Sequence, residues 1–368
     1  MFSLHIDSAR TWRGGQNQVL LTVLGMRALG HRSTLVAHPA GELRQRVKEG
    51  LDLIPLAPAN EMDLTAAWRL SRLVKQLKPD VIHAHDPHGV AMAALALSMS
   101  TQLAKPPLVA ARRVDFHMRG NALSRWKYRQ VDCFVCASDA IRKIVIADGV
   151  PPSRAVTIHE GIDLGHVAAA PAADLHAELW LPHHAPIVGN VAALVPHKGQ
   201  RHLIDAAAMV VRQVPDARFV IAGEGELRAQ LERQIKERHL EKHVFLAGFR
   251  PDILSVHKAF EIFVMSSVTE GLGTSLLDAM ACGKPVVATT AGGMPEVVAD
   301  GQTGILVPPR DDEALAAAIV KLLKDERLRG SMGEAGERRV RERFSSERMV
   351  QDTLELYRRV ALHAHVEA

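Results

Sequence analysis

Ser266-Ser267-Val268-Thr269-Glu270-Gly271-Leu272-Gly273-Thr274-Ser275-Leu276-Leu277-Asp278-Ala279-Met280-Ala281 follows the apolar run Phe260 to Met265 and leads into an apolar helix expected from about Thr274. The run reads as a buried strand, so the stretch is a strand, a glycine-containing loop and a helix in succession. Backbone N–H groups of such a loop can approach a phosphate, and the helix N-terminus adds partial positive charge. Glu270 stands before the helix and Asp278 one turn inside it. Two carboxylates eight positions apart can then contact different parts of one extended ligand.

The same alternation extends on both sides of this stretch. Around it, strands are expected at 187–192, 218–222, 244–247, 262–265, 285–289 and 304–307, with helices near 199–211, 227–237, 251–258, 294–298 and 311–324. The last of these is amphipathic with a Lys-rich end, which suits its dipole. Nearer the N-terminus, strands are expected at 3–7, 33–37, 81–84, 108–111, 133–137 and 155–159, and helices at about 15–29, 42–49, 64–77 and 139–148. A closing helix covers about 345–363. Alternating strands and helices with short connections predict an α/β protein whose parallel sheets carry helices on both faces, with ligands at the carboxyl ends of the strands. Between Gly161 and Pro186 the pattern lapses into an Ala- and His-rich stretch, read as a linker plus a short helix.

At 368 residues the chain accommodates two domains of ordinary size, and a hydrophobic content of 47% suffices for their cores. No apolar segment reaches membrane-spanning length. The start, Met1-Phe2-Ser3-Leu4-His5-Ile6, lacks the basic and long apolar regions of a signal peptide, so a cytoplasmic location is expected. Three cysteines cannot make a disulfide framework. Cys133 and Cys136 form a Cys-x-x-Cys, but residues three apart on a strand face opposite sides, which favours packing over redox or metal chemistry. The 19 histidines show no His-Glu-x-x-His and no pairing with cysteines at ligand spacing, so no metal site is expected.

Charge is uneven. Residues 1–163 hold 21 Lys+Arg against 14 Asp+Glu, hence +7, and the remainder 24 against 27, hence −3, which sum to the +4 of the chain. The two halves therefore call for different partners. Within the first, Arg112, Arg113, Arg119, Arg125, Lys127 and Arg129 are interleaved with Phe116, Met118, Trp126 and Tyr128. Such a segment suits an anionic membrane surface, and equally a solvated loop and helix. No nucleic-acid-binding motif accompanies it.

The blocks around the opening stretch resemble the donor-binding domain of the retaining glycosyltransferases of family 4. In order they are Val191-Ala192-Ala193-Leu194-Val195-Pro196-His197-Lys198-Gly199, Ile221-Ala222-Gly223-Glu224-Gly225-Glu226-Leu227, Phe245-Leu246-Ala247-Gly248-Phe249 and the Glu270 motif. Gly283-Lys284-Pro285-Val286-Val287-Ala288-Thr289, Gly292-Gly293-Met294-Pro295-Glu296-Val297-Val298 and Gly301-Gln302-Thr303-Gly304-Ile305-Leu306-Val307 complete the series. The first half is similar through Arg13-Gly14-Gly15-Gln16, Ile82-His83-Ala84-His85-Asp86-Pro87 and His159-Glu160-Gly161-Ile162-Asp163. The resemblance covers essentially the whole chain. It implies the GT-B architecture of two facing Rossmann-like domains. Residues 1–165 would be the acceptor side, 166–345 would bind the nucleotide sugar, and the helix in 346–368 would pack back on the N-terminal domain.

Site roles follow from the resemblance. Glu270 would be the catalytic residue beside the donor sugar, where an anion stabilises positive charge developing at the anomeric carbon. Asp278 would accept from the two ribose hydroxyls. Lys198 would neutralise the pyrophosphate, together with backbone amides of Gly271, Leu272, Gly273, Thr274 and Ser275 and of Gly14 and Gly15. Gly248, Phe249 and Arg250 would shape the base pocket, and Glu224 the nucleotide loops. Three departures stand out. Asp278 is one methylene shorter than the usual Glu, and Ala193 replaces a common phosphate-binding Arg. Arg112 and Arg113 stand where many relatives have a His, and either could contact phosphate or sugar bidentately. His85 is an alternative donor-side histidine, or a plain strand-end one.

The expectation is a retaining hexosyltransferase that moves a sugar from a nucleotide-diphosphate sugar, a UDP-sugar first among them. The acceptor would be a hydroxyl of a glycolipid, lipopolysaccharide precursor or other glycan, held on the basic first half at the inner face of a membrane. No cofactor is expected, the nucleotide sugar being substrate. Asp-x-Asp, the usual anchor of a divalent metal on a sugar diphosphate, does not occur in the sequence, so leaving-group stabilisation would come from cations and dipoles. Two alternatives stay open: a sugar-nucleotide epimerase of the same architecture, and a non-catalytic nucleotide-sugar-binding subunit.

Overall fold

The computed structural model describes residues 1–47, 50–100, 105–118 and 120–366, with side chains through residue 362. Glu49, expected to end a helix, and Arg119, in the basic segment, lie outside the described residues. Two compact units divide the chain: Met1–Gly161 with Ser346–Ala368, and Ile162–Ser345.

In the first unit, β1 (Phe2–Asp7), β2 (Arg32–Ala37), β3 (Asp52–Pro55), β4 (Val81–Ala84), β5 (Leu108–Arg112), β6 (Cys133–Cys136) and β7 (Ala155–Thr157) form one parallel sheet in the order β3-β2-β1-β4-β5-β6-β7. Its helices are α1 (Gly14–Ala28), α2 (Glu42–Arg46), α3 (Leu64–Leu77), α4 (Pro87–Ser98), α5 (Ala122–Arg129) and α6 (Asp139–Ala147). Three of these elements were not legible. β3 is a four-residue edge strand ending in proline. α4 is apolar almost all round, so it shows no helical period although Asp86 caps it and Pro87 opens it. α5 was visible only as a basic segment.

The second unit has β8 (Ile187–Val191), β9 (Arg218–Ala222), β10 (Val244–Gly248), β11 (Ile262–Met265), β12 (Val286–Thr289) and β13 (Gly304–Val307), all parallel, in the order β10-β9-β8-β11-β12-β13. Around it lie α7 (Leu164–Ala169), α8 (Leu175–Glu178), α9 (Gln200–Val210), α10 (Arg228–Glu237), α11 (Ile253–Lys258), α12 (Thr274–Ala281), α13 (Met294–Val297), α14 (Asp312–Lys324) and α15 (Glu326–Arg343). The stretch read as linker plus one helix holds two, α7 and α8, each capped by an aspartate, Asp163 and Asp174. Finally α16 (Ser346–Val366) belongs to the first unit, where its Val350 lies against α1 at Gly25.

β11 and β12 are near-continuous apolar runs buried on both faces, with Ile262, Phe263, Val264 and Met265 in the first, whereas the buried β1 carries the polar Ser3, His5 and Asp7 and the edge strand β3 is half-exposed. Each sheet has one place where strand order reverses, between β1 and β4 and between β8 and β11. Chains leaving such a pair go to opposite faces and open a crevice at the carboxyl ends. Cys133 and Cys136 are buried on β6, and burial pushes their thiols up to about 11 and about 12, which keeps them unreactive.

Eight helices start on an Asp, Asn or Ser side chain that accepts from a first-turn N–H, whereas α9, α12 and α13 start on Gly199, Gly273 and Gly293 without one. Of these, α9 and α12 keep first-turn N–H donors without a partner among the described residues at the carboxyl edge of the second sheet, whereas in α13 Met294 and Glu296 N–H bond the Ala291 and Gly293 carbonyls and Pro295 has no N–H.

His257 on α11 is fully buried between Phe260 and Phe263, and neither ring nitrogen has a hydrogen-bond partner among the described residues. Burial, then the charge of Lys284, lowers it to about 3. Its folded form stays neutral while the unfolded form takes a proton below about 6.5, so its contribution is lost as pH falls from that point. His257→Leu is expected to stabilise the protein by about 1–2 kcal/mol at pH 7. In urea melts the gap should widen at pH 5; a narrowing gap would contradict the account.

Candidate active site

In the second unit the β8 and β11 loops meet at the strand-order reversal. Residues 196–198 form one 3-10 turn, and Gly199 then enters α9 at φ +67°, with no room for a Cβ, which would sit 2.1 Å from the Ser266 carbonyl oxygen. Val268 N–H donates to the His197 carbonyl at 2.8 Å, lacing the two loops together. The result brings Lys198 Nζ to 2.6 Å from Glu270 Oε2, and the Ser267 hydroxyl donates to that same oxygen at 3.1 Å. Both charged side chains are mostly buried, 19% and 12% exposed, so the pair is preorganised rather than a solvated surface contact. Gly292 seats the loop from below: at φ +55°, a Cβ there would fall 1.6 Å from the Glu270 carbonyl oxygen. The open amides of Gly273 to Ser275 start α12 beside this pair, with no acidic residue in the first turn.

Asp278 lies one turn into α12. Its residue keeps partial exposure, yet burial of the carboxyl pushes it up to about 7, and no described group hydrogen-bonds or ion-pairs with that carboxyl. Gly248 closes β10 against Glu224, whose exposed carboxylate pairs with Arg228 at 3.4 Å. Phe249 is largely exposed. Arg250 is not free: its guanidinium bonds Glu178 and Asp252, which leaves only its backbone for a ligand.

In the first unit a second polar cluster occupies the reversal between β1 and β4. His5 and His83 are directly opposed in the sheet, and His85 follows β4. His5 Nδ1 lies 3.0 Å from His85 Nε2, His5 Nε2 2.9 Å from the Ser3 hydroxyl, and His83 Nδ1 2.6 Å from the Tyr357 hydroxyl of α16. Burial, then nearby Arg113, lowers His5 to about 3; burial likewise lowers His83 and His85, so all three rings are neutral. Arg113 Nε pairs with Glu160 at 3.1 Å and its Nη2 lies 3.3 Å from His85 Nδ1, with Gly15 of α1 against its stem. Arg112 turns inward instead. It is 6% exposed, bonded to the Phe116 carbonyl and placed over the Phe116 ring, so only Arg113 of the two reaches the carboxyl edge.

Of the residues expected in the site, Lys198 and Glu270 come together in the second unit on the loops that lead into α9 and α12, with Asp278 one turn along α12, while Gly15, His85 and Arg113 come together in the first. Sequence reasoning missed Ser267, His5, His83, Glu160 and Tyr357 as participants. Only the pair His83 and His85 carried a signal, since residues two apart on a strand share a face. Among the described residues the trio His5, His83 and His85 is the one group whose ligand atoms lie within 4.8 Å of one another, a grouping the sequence did not show. No described helix is long and apolar enough to cross a membrane.

Two family patterns match the chain, "Glycosyltransferase Family 4" over residues 12–166 and "Glycosyl transferases group 1" over residues 173–339. Alpha-maltose-1-phosphate synthase of Mycolicibacterium smegmatis is 34% identical over 265 residues, covering 66% of this chain and 68% of the relative. N-acetyl-alpha-D-glucosaminyl L-malate synthase of Bacillus anthracis is 27% identical over 302 residues, 80% of this chain and 78% of the relative. Among solved structures, Anabaena HepE in complex with UDP superposes with a TM-score of 0.83 at 22% identity, covering 97% of this chain and 99% of that one, which is a likeness of fold.

The isolated Asp278 carboxyl gives a test. With its folded pKa raised from 3.8 to about 7, it holds a proton that the unfolded chain has released, so its favourable term is complete below about pH 4 and lost as pH rises through 7. Asp278→Asn should match the parent's stability near pH 4 and exceed it by about 1–3 kcal/mol at pH 8. Thermal melts across that range check it; equal stability at pH 8 would show the carboxylate to be compensated.

Proposed function

The chain belongs to glycosyltransferase family 4, and on that footing we propose that it transfers a hexose from a nucleoside-diphosphate sugar with retention at the anomeric carbon and without a metal. The 2.6 Å contact of Lys198 with Glu270 carries this reading, because it sets a cation and an anion side by side at an open helix N-terminus. Lys198 and the α12 amides take the diphosphate and hold it as it leaves. Glu270 faces the sugar, where positive charge develops as the bond to the diphosphate lengthens. Lys198 and Ser267 both bind its Oε2, which leaves Oε1 for the sugar. Asp278 accepts from the ribose hydroxyls, and the backbone of 248–250 receives the base. The acceptor hydroxyl attacks on the face the diphosphate leaves, and its proton passes to the departing phosphate oxygen. No cofactor enters, and the absence of Asp-x-Asp from the sequence supports charge stabilisation by Lys198 and amides.

A glycolipid or lipid-linked glycan acceptor at the cytoplasmic face of a membrane fits the surface of the first unit. Lys127, expected to face the membrane, is instead buried and paired with Glu61 at 2.8 Å, docking α5 against the entry to α3. Arg125 and Arg129 of α5 are exposed, and so are Met62, Leu64 and Trp68 around the start of α3, at 55%, 56% and 52%. Arg72 lies over the Trp68 ring. Basic and aromatic side chains so placed suit an anionic interface.

Three measurements test these statements. A thermal-shift panel of UDP-, GDP- and ADP-sugars should show stabilisation by one nucleotide class, UDP first, since only ligands of the folded state raise its stability. Glu270→Ala should lower transfer by about 100-fold or more while donor-induced stabilisation persists; near-normal transfer would end its proposed role. Arg125→Glu with Trp68→Ala should weaken binding to phosphatidylserine vesicles severalfold. Unchanged binding would remove the membrane contact and leave the enzyme reading intact.

A further inference from the structure

The histidine trio invites a metal, but its geometry serves a different end. The His5 and His85 rings are within 9° of parallel with centroids 5.3 Å apart, while their facing nitrogens are only 3.0 Å apart. Stacked rings cannot bring nitrogens so close, so the two rings lie edge to edge along one hydrogen bond. A shared cation would need both lone pairs to converge beside that line.

The proton order along this line is fixed from one end. Arg113 is a donor only, so His85 Nδ1 must accept and its Nε2 must carry the proton. His85 Nε2–H then donates to His5 Nδ1, which leaves His5 Nε2–H to donate to the Ser3 hydroxyl. Ser3 in turn meets the Ser33 hydroxyl at 2.9 Å. Every member is satisfied in one tautomeric arrangement and none carries charge. Ligation by His85 Nε2 would move its proton to Nδ1, against the guanidinium.

We infer that His85 is a positioning residue: its Nδ1 lone pair, held by the relay from Ser33 through Ser3 and His5, aims the Arg113 guanidinium at a phosphate-bearing substrate. Glu160 fixes the Nε edge of Arg113 and His85 one Nη2 bond, so two neutral or anionic acceptors set the fork while the remaining N–H groups stay available. The inference rests on the proposed use of a diphosphate donor.

The test is a double-mutant cycle on the full chain, read by calorimetric titration with inorganic pyrophosphate. Arg113→Ala should weaken binding about tenfold. His85→Leu should weaken it several-fold in the parent and not at all in the Arg113→Ala background. His85→Gln, whose amide can accept from Arg113 and donate to His5, should recover affinity to within about twofold, which a purely structural role would not produce. Nitrogen-15 histidine spectra should show His5 and His85 both protonated at Nε2. Equal losses from His85→Leu in both backgrounds, or His85 protonated at Nδ1, would overturn the relay. Pyrophosphate binding unchanged by Arg113→Ala would overturn the role of Arg113, whereas failure of Glu270→Ala to impair transfer would strike only at the catalytic assignment.

Discussion

Lys198 and Glu270 are 72 residues apart in the chain and share a hydrogen bond because β8 and β11 lie side by side where the second sheet reverses its order. Their pairing, Ile262 against Val188 and Phe263 against Gly189, tolerates little change. A Cβ at Gly189 would fall 2.1 Å from the Phe260 ring, and the buried Asn190 amide donates across to the Val264 carbonyl at 2.8 Å. The loops beyond these strands have to emerge together, one toward α9 and the other toward α12. The same rule acts in the first unit, where pairing of β1 with β4 sets His5 opposite His83 and brings His85 within reach of Arg113. Chemistry-bearing residues collect at the two reversals because backbone pairing leaves them nowhere else to go.

Electrostatics at both reversals follow one pattern. Each holds a mostly buried cation–carboxylate pair, Lys198 with Glu270 and Arg113 with Glu160, braced by neutral partners. Such pairs add little to stability, since desolvation offsets most of their attraction. In the proposed reaction their use would be in being fixed before any ligand arrives, so that no reorganisation is needed when charge develops. The helix starts agree. Eight helices are capped by an Asp, Asn or Ser, whereas at α9 and α12 glycine stands there and first-turn N–H groups remain open.

Much of this was legible. Parallel strands buried on both faces read as apolar runs, and the glycine loops after them are contiguous in sequence, which is why Lys198, Glu270 and the start of α12 could be named. What depends on register between distant strands was not. His5 meets His83 only through sheet pairing, and Tyr357 reaches His83 only because α16 returns to the first unit. Composition likewise cannot tell a buried lysine from an exposed one, so Lys127, paired to Glu61, passed for surface charge. α4 was hidden by its own burial, since a helix apolar all round has no period to read. Arg112 and Arg113 likewise could not be told apart: Arg112 is the last residue of β5 and turns inward, while Arg113, just past the strand, reaches the carboxyl edge.

The shorter acid at 278 is best understood through its protonation. Its carboxyl stands without a partner and is pushed up to about 7 by burial, so near neutrality it carries a proton about half the time. A ribose diol offers two donors, which favour the ionised form and lower the pKa on binding. In the proposed site, donor binding and proton release are then linked, and affinity rises as pH climbs through 7. The departure from Glu need not weaken the site if the ligand supplies the hydrogen bonds that the empty pocket lacks. A longer side chain would meet the same desolvation wherever its carboxyl stayed inside the helix packing, and would escape it only by reaching further toward solvent. In that proposed site the missing methylene trades reach for pH sensitivity, while Glu270 stays paired with Lys198.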